Sequence, residues 1–285
     1  MKLITWNIQW ARGVDLTVDP ARIARSARAI ADFDVLCAQE VAVNFSGLAG
    51  SRGEDQVAEL LRALPGFSAH FAAATDVGDG KGGRSLFGNL VLSRLPVLQV
   101  YRHLLPWPAD PAAKSMQRMA VETVLQAAWG PVRIITTHLE YYSATQRMAQ
   151  VNRLRAVHEE ACGHAGATRI HDDPGQPFHA RPRPASAILT GDFNCKPGDA
   201  EYRRMIEPFR ASNTQRLVDS WHVVHGGKPH PPTAGMFENS WAKQPYCCDF
   251  IFVTADLAPR VHRVETDSTT QASDHQPVFI QLSEK

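Results

Sequence analysis

Five short clusters place oxygen- and nitrogen-bearing side chains at the ends of apolar runs. They are Thr5-Trp6-Asn7, Gln39-Glu40, Thr137-His138-Leu139, Gly191-Asp192-Phe193-Asn194 and Ser273-Asp274-His275-Gln276-Pro277. Each flanks a stretch rich in β-branched or apolar residues, which reads as a buried strand. Polar groups that repeatedly end buried strands predict one shared site at one edge of a sheet. Its donors would be the carboxylates of Glu40, Asp192 and Asp274, the amides of Asn7 and Asn194, and the imidazoles of His138 and His275. Such a set suits a hard divalent cation together with phosphate chemistry. Each cluster alone has a plainer reading: Gly-Asp-Phe-Asn is also a turn composition, and a histidine at a strand end is commonly a satisfied core residue. The order and number of the clusters carry the argument.

The elements that must position them follow from periodicity and punctuation. Strands are predicted at 3–6, 35–38, 68–74, 90–93, 119–125, 132–137, 187–190, 250–253, 261–264 and 278–282. Asp19-Pro20 supplies an N-cap and a first-turn proline for a helix to about residue 31. A second helix spans 55–64 and stops at Pro65-Gly66; a third spans 145–162, with Gly163 as its C-cap. Strands outnumber helices and several are joined by short turns, so mixed, largely antiparallel sheets with outer helices are expected. Residues 165–184 and 225–245 show no regular pattern; the first is read as a weakly ordered surface insertion, and His171, His179, His225 and His230, in loops without paired spacing, are assigned to the surface and not to metal.

Bulk properties narrow the function. The chain has 285 residues, 44% of them hydrophobic, enough for a substantial core in one domain spanning 1–285. Thirty basic and 29 acidic residues leave a net charge of +1, which lowers the case for a dedicated duplex-DNA binder. No apolar run approaches the length of a membrane span. The N-terminus lacks the pattern of a signal peptide. Cys37, Cys162, Cys195, Cys247 and Cys248 are odd in number without CxxC spacing, so free thiols in a reducing cytosol are expected, and hence a cytoplasmic location. No obligate protein partner is evident.

Together with Asp249-Phe250-Ile251-Phe252-Val253, the five clusters resemble the endonuclease/exonuclease/phosphatase superfamily, which includes DNase I, apurinic endonucleases, neutral sphingomyelinases, inositol polyphosphate 5-phosphatases and deadenylases. The resemblance spans residues 4–280. It implies a four-layer α/β/β/α sandwich and hydrolysis of a phosphate ester dependent on Mg2+ or Mn2+. Under it, Glu40 and Asp274 are assigned to the metal, with Asn7 beside it. Asp192 would orient or deprotonate water, and Asn194 would donate an amide hydrogen to a phosphate oxygen; two apart on an extended segment, they would share a side. His275 would act on the phosphate as acid, base or electrophile, held in one tautomer by Asp249. His138 would stabilise transition-state charge. Arg118 would contact phosphate or form a salt bridge at the rim. Asn89 falls where some relatives carry a glutamate beside that histidine.

The substrate is less defined. The apurinic-endonuclease branch usually has a tyrosine in place of His138, which argues against that reading. A phosphodiester is the leading expectation, with sphingomyelinase-like or inositol-phosphate-like activity as alternatives. Nucleic acid, phospholipid and inositol phosphate all stay open as substrates, and a non-catalytic binding module of the same fold is the other class. Substrate choice would come from loops at 78–84, 107–114 and 165–184.

Overall fold

A computed structural model describes residues 1–80, 82–167, 172–237 and 242–284. Along β1 (Lys2–Asn7) both faces are buried: Leu3, Thr5 and Asn7 on one, Ile4 and Trp6 on the other. A strand covered on both faces belongs in the middle of a layered structure. β1 pairs in parallel with β2 (Val35–Val43), and α1 (Pro20–Ile30) makes the crossover. Asp19 caps α1 by accepting from the Arg22 N–H at 2.9 Å. The same unit recurs later in the chain. β7 (Gly130–His138) and β8 (Ala187–Asp192) are parallel neighbours, with α3 (Ala144–Gly166) between them.

Antiparallel strands flank each parallel pair. β12 (Val278–Leu282) pairs with β1 and with β11 (Val261–Thr266). β2 pairs with β4 (Arg84–Ser93), and β4 with β3 (Ser68–Gly78). In the second sheet β6 (Met119–Ala127) joins β5 (Val97–Leu104) to β7. β10 (Asp249–Thr254) joins β8 to β9 (Leu217–Asp219). The strand orders are therefore β11-β12-β1-β2-β4-β3 and β5-β6-β7-β8-β10-β9.

Three apolar layers hold this together. Leu3, Cys37, Val121, Ile134, Ile188 and Ile280 fill the space between the sheets. Ile4, Trp6 and Leu36 face outward against Ile23 of α1 and Leu60 of α2 (Gln56–Ala63). Ile135 and Leu189 face outward against Val151 and Leu154 of α3 and Met205 of α4 (Ala200–Ile206). The result is the four-layer α/β/β/α sandwich of two mixed sheets. Among the described residues no helix is long and apolar enough to cross a membrane. All five cysteines are free and buried.

The structure departs from the sequence expectations at several points. β5, β9, α4 and α5 (Ser220–His225) were not anticipated. β5 is only half-buried along most of its length, so it lacks the continuous apolar run that marked the inner strands. α3 runs through Gly163 to Gly166 instead of ending there. β3 and β4 form one long ribbon, so the expected 78–84 loop shrinks to a hairpin tip; Lys81 lies outside the described residues. In the segment 165–184, Arg183 is buried, its guanidinium paired with Glu122 and Glu160, so it anchors the segment and does not face substrate. Arg169 and His171 lie outside the described residues. Leading into the 107–114 loop, Leu105 is buried, while Leu104 and Trp107 are exposed.

Candidate active site

The parallel pairs β1–β2 and β7–β8 end on the same side of the sandwich. Asn7 lies beside Gln39 at the end of one pair, and His138 beside Asp192 at the end of the other. The carboxyl ends of parallel strands, where the chain leaves in opposite directions, are the usual ligand crevice of an open sheet. Here two such ends face each other across the sandwich. β10 begins at that end with Asp249, whose register partner is Asp192. The segment before β12 delivers Ser273, Asp274 and His275 to the same place. Gln39 ties the two sheets together beneath it, donating from Nε2 to Thr136 Oγ1 at 2.7 Å and to Thr5 Oγ1 at 3.2 Å.

Local backbone irregularities aim the side chains. β2 does not end at Glu40, as expected, but bulges there and continues to Val43. Its register shifts between Ala38 and Val41, and Glu40 has φ +58°. The bulge turns Glu40 off the strand and into the site. Gly191 has φ +138°, and a Cβ on it would lie 1.9 Å from the Thr137 carbonyl oxygen. Only glycine allows β8 to approach β7 this closely just before Asp192. Asn194 has φ +50°, so the segment after Asp192 is not extended. Its backbone N–H donates to Asp192 Oδ1 at 2.9 Å, and its Nδ2 donates to the Leu139 carbonyl at 2.8 Å. The expected same-side geometry is thus replaced by an Asx-type turn that holds Asp192.

The chemistry-bearing groups converge on a cavity of about 410 Å3, lined by Glu40, Arg118, His138, Tyr141, Tyr142, Asp192, Asn194, Asp274 and His275. Asn7 lies beneath it; its Nδ2 donates to both Glu40 Oε1 and Asp192 Oδ2 at 3.1 Å. Asp192 Oδ2 is 3.4 Å from His138 Nε2 and 3.8 Å from His275 Nε2. His275 Nδ1 is 2.9 Å from Asp249 Oδ2. Arg118 lies on the wall with its Nε donating to Glu140 Oε2 at 3.2 Å, so the salt bridge and cavity placement coexist. Asn89 does not partner His138: its Nδ2 donates to the Met119 carbonyl at 2.9 Å.

Burial and neighbouring charges separate the protonation states. Burial, with Asp274 adding repulsion, pushes the Glu40 carboxyl up to about 7. Glu40 keeps 18% of its side-chain exposure, so water moderates that push. Asp192 is also raised, by burial first and by Asp249 next. His138 falls well below its usual range through burial and the nearby Arg118. Burial also opposes charge on His275, but the attraction of Asp249 and Asp192 outweighs it and holds the imidazolium well above the usual range. Two histidines a few ångströms from one carboxylate therefore differ in charge, a pattern that divides acid from base roles.

Several participants had not been singled out. Gln9 donates to Asp274 Oδ2 at 2.7 Å, and the Ser273 hydroxyl donates to the Asn7 carbonyl at 2.7 Å. Trp6 Nε1 donates to the His275 carbonyl at 2.9 Å. Thr233 Oγ1 accepts from the N–H groups of Cys248 and Asp249. Tyr141 and Tyr142 form an edge-to-face pair with centroids 4.8 Å apart at the cavity mouth. Their adjacency just after His138 was the available signal. His230, expected at the surface, is buried against Asp219, while His179 pairs with Asp172 in the open.

The profile of the endonuclease/exonuclease/phosphatase family matches residues 4–275 of the sequence. The chain belongs to that family. Among curated proteins no match is found. Solved structures agree in fold. An endonuclease/exonuclease/phosphatase from Beutenbergia cavernae has TM-score 0.64 and 22% identity, over 99% of this chain and 72% of that one. A mannosyl-6-phosphatase from Bacteroides thetaiotaomicron has TM-score 0.64 and 18% identity, over 99% of each chain. A 3′ phosphatase from Neisseria, bound to a product DNA hairpin, has TM-score 0.60 and 19% identity, again over 99% of each. At such identities the fold is shared, while the substrate is set locally.

Members of the endonuclease/exonuclease/phosphatase family are phosphoesterase hydrolases, and its divalent-metal requirement fits the donors present. Glu40 and Asp274 are oxygen donors that repel each other, and a dication between them would relieve the pressure that raises Glu40. Mg2+ keeps several waters and needs few protein ligands. A tighter group, Asp192, Cys248 and His275, includes a thiol, and its histidine is engaged with Asp249, which suits hydrogen bonding better than a hard cation.

Proposed function

We propose that this chain hydrolyses a phosphodiester with Mg2+ or Mn2+ held by Glu40 and Asp274, with Asn7 beside them. The observation that carries the reading is the meeting of a raised carboxylate, a charged histidine and a neutral histidine on one cavity with that acidic pair. When bound, the cation neutralises charge on the phosphoryl oxygens.

The residues supply the rest. Asp192, fixed from both sides by Asn7 and by the Asn194 N–H, orients a water and accepts its proton. Its raised proton affinity makes it a better base than an ordinary aspartate. His275 directs its Nε2 proton toward a phosphoryl or leaving oxygen, while Asp249 holds Nδ1 and the charge. His138, being neutral, acts as a hydrogen-bond donor to developing charge and not as a fixed cation. Asn194 spends its amide on the Leu139 carbonyl, so its contribution is to hold Asp192.

Arg118 is the one Lys or Arg on the cavity wall among the described residues, and it is already paired. An inositol polyphosphate would need several cations there. Tyr141 and Tyr142 instead offer exposed aromatic ring surface, favouring a diester whose flanking group is planar or apolar. Sphingomyelinase-like hydrolysis is the second reading on that ground.

The test is a panel of plasmid DNA, single-stranded RNA, sphingomyelin, inositol phosphates and bis-p-nitrophenyl phosphate with Mg2+ and with EDTA. Cleavage of at least one diester, abolished by EDTA and restored by Mg2+ or Mn2+, is expected. Undiminished turnover in metal-free buffer, or none on any substrate, overturns the proposal.

A further inference from the structure

A second cluster of ligating side chains sits on the edge of the second sheet, and none of its members lines the cavity described above. β9 ends at Asp219, which caps α5 by accepting from the Trp221 N–H at 2.8 Å. His222 follows in α5, and His230 returns on the loop after it. One donor atom from each of Asp219, His222 and His230 lies within 4.8 Å of the others. The two imidazole rings are 4.9 Å apart and nearly perpendicular.

Hydrogen bonding fixes the tautomer that each ring adopts in its neutral form. Asp219 Oδ2 accepts from the Tyr202 hydroxyl at 2.6 Å and lies 2.7 Å from His230 Nε2. A carboxylate only accepts, so His230 Nε2 is the protonated nitrogen and Nδ1 bears the lone pair. That Nδ1 is buried without a hydrogen-bond partner, on a side chain only 5% exposed. His222 Nδ1 lies 2.6 Å from the Gly226 carbonyl. A carbonyl also only accepts, so Nδ1 is protonated there and Nε2 bears the lone pair. Each neutral imidazole thus presents one bare nitrogen while an oxygen grips the other. That is the arrangement of metal-bound histidines, whose remote N–H is held by a carboxylate or carbonyl.

We propose that His222 and His230, supported by Asp219, form a zinc-type site separate from the phosphoesterase cavity. Two imidazole nitrogens, with Asp219 holding the remote nitrogen of His230, favour a borderline cation such as Zn2+ over Mg2+. Zn2+ in this position would clasp α5 to the loop carrying His230, beside edge strand β9, and would give the orphaned Nδ1 its partner. His225, the next histidine, is committed elsewhere through its Nε2 and the Val264 carbonyl. The exposed face of His222 gives the ion a way in.

The experiment is calorimetric titration of EDTA-stripped full-length protein with Zn2+ in excess Mg2+, alongside thermal melts. The variants are His222→Ala, His230→Gln and, as a control for the acidic pair, Asp274→Asn. Wild type should bind one equivalent of Zn2+ with Kd below about 10 µM and melt higher with it. His222→Ala, at an exposed position, should fold normally and lose binding by about 100-fold. Asp274→Asn should retain it. Histidine NMR should show the His222 and His230 ring signals shifting on Zn2+ addition. Wild type without such binding, His222→Ala binding as wild type does, or binding lost only in Asp274→Asn each overturns the proposal.

Discussion

Asp192 sits where four hydrogen-bond or charge partners meet, so a change there reads directly on the chemistry. Asp192→Asn keeps the shape and removes the base, and kcat should fall roughly 10²-fold or more. His275→Ala should be at least as severe. Asp249→Asn should be milder and should also shift the alkaline limb of the pH–rate profile, because it loosens the hold on the His275 charge. Full activity in Asp192→Asn would contradict the assignment. Tyr142 tests the rim. Tyr142→Ala should raise KM for nucleotide or aryl diesters about tenfold, the scale of one lost stacking contact, with kcat little changed. An equal effect on an alkyl diester would argue against stacking.

Glu40 gives a stability prediction with a definite sign. Its folded value of about 7 lies above the unfolded carboxyl value. The folded state therefore binds the extra proton between the two values. This contribution is fully present below the unfolded value and lost as the pH rises through the folded one. The metal-free protein should weaken from about pH 4.5 to about pH 7, and added Mg2+ should raise Tm more at about pH 8 than at about pH 5. Thermal melts across that range with EDTA or Mg2+ decide it; an equal Mg2+ effect at both ends would remove Glu40 from the metal set.

At the scale of elements, the two β-α-β units carry the site. Their strand ends are brought level by registers that tolerate no side chain at Gly191. Gly191→Ala should force β8 away from β7 and destabilise the fold by more than about 3 kcal/mol, measured by urea unfolding. A near-neutral result would mean that β8 can slide without cost. The bulge at Glu40 is the matching device on β2, where a strained left-handed residue is retained because its side chain must leave the strand.

Across the whole molecule, a buried ion cluster ties the second sheet to α3 and the 165–184 segment. Glu122 faces Arg183 at 3.3 Å, Arg133 at 3.7 Å and His103 at 2.9 Å, and Arg183 also reaches Glu160 at 2.6 Å. Removing Glu122 leaves buried Arg133 without the carboxylate it faces and Arg183 with Glu160 alone. Glu122→Ala should cost about 3–5 kcal/mol by denaturant unfolding, with kcat of the folded fraction unchanged. A loss below about 1 kcal/mol would mean that water replaces the carboxylate.

The sequence by itself determined the inner strands, pointed through the family resemblance to the four-layer class, and named most of the polar side chains of the cavity but not Tyr141 and Tyr142. Those strands are buried on both faces, so they had to be written as continuous apolar runs, and the polar residues ending them stood out by contrast. Half-buried β5, three-residue β9 and the short helices α4 and α5 carry no such contrast. What only the tertiary structure decided is which atoms meet. Asn194 lies two residues from Asp192 in either reading, but a left-handed turn makes it a brace. His138 and His275 are both histidines at strand ends, yet burial and Arg118 discharge one while Asp249 charges the other. Arg183 and His230 looked like surface loop residues and are buried in ion pairs. In each case the partner lies elsewhere in the chain, from 11 residues away for His230 and Asp219 to 61 for Arg183 and Glu122, so the energy that fixes the role arises only once the tertiary structure has formed.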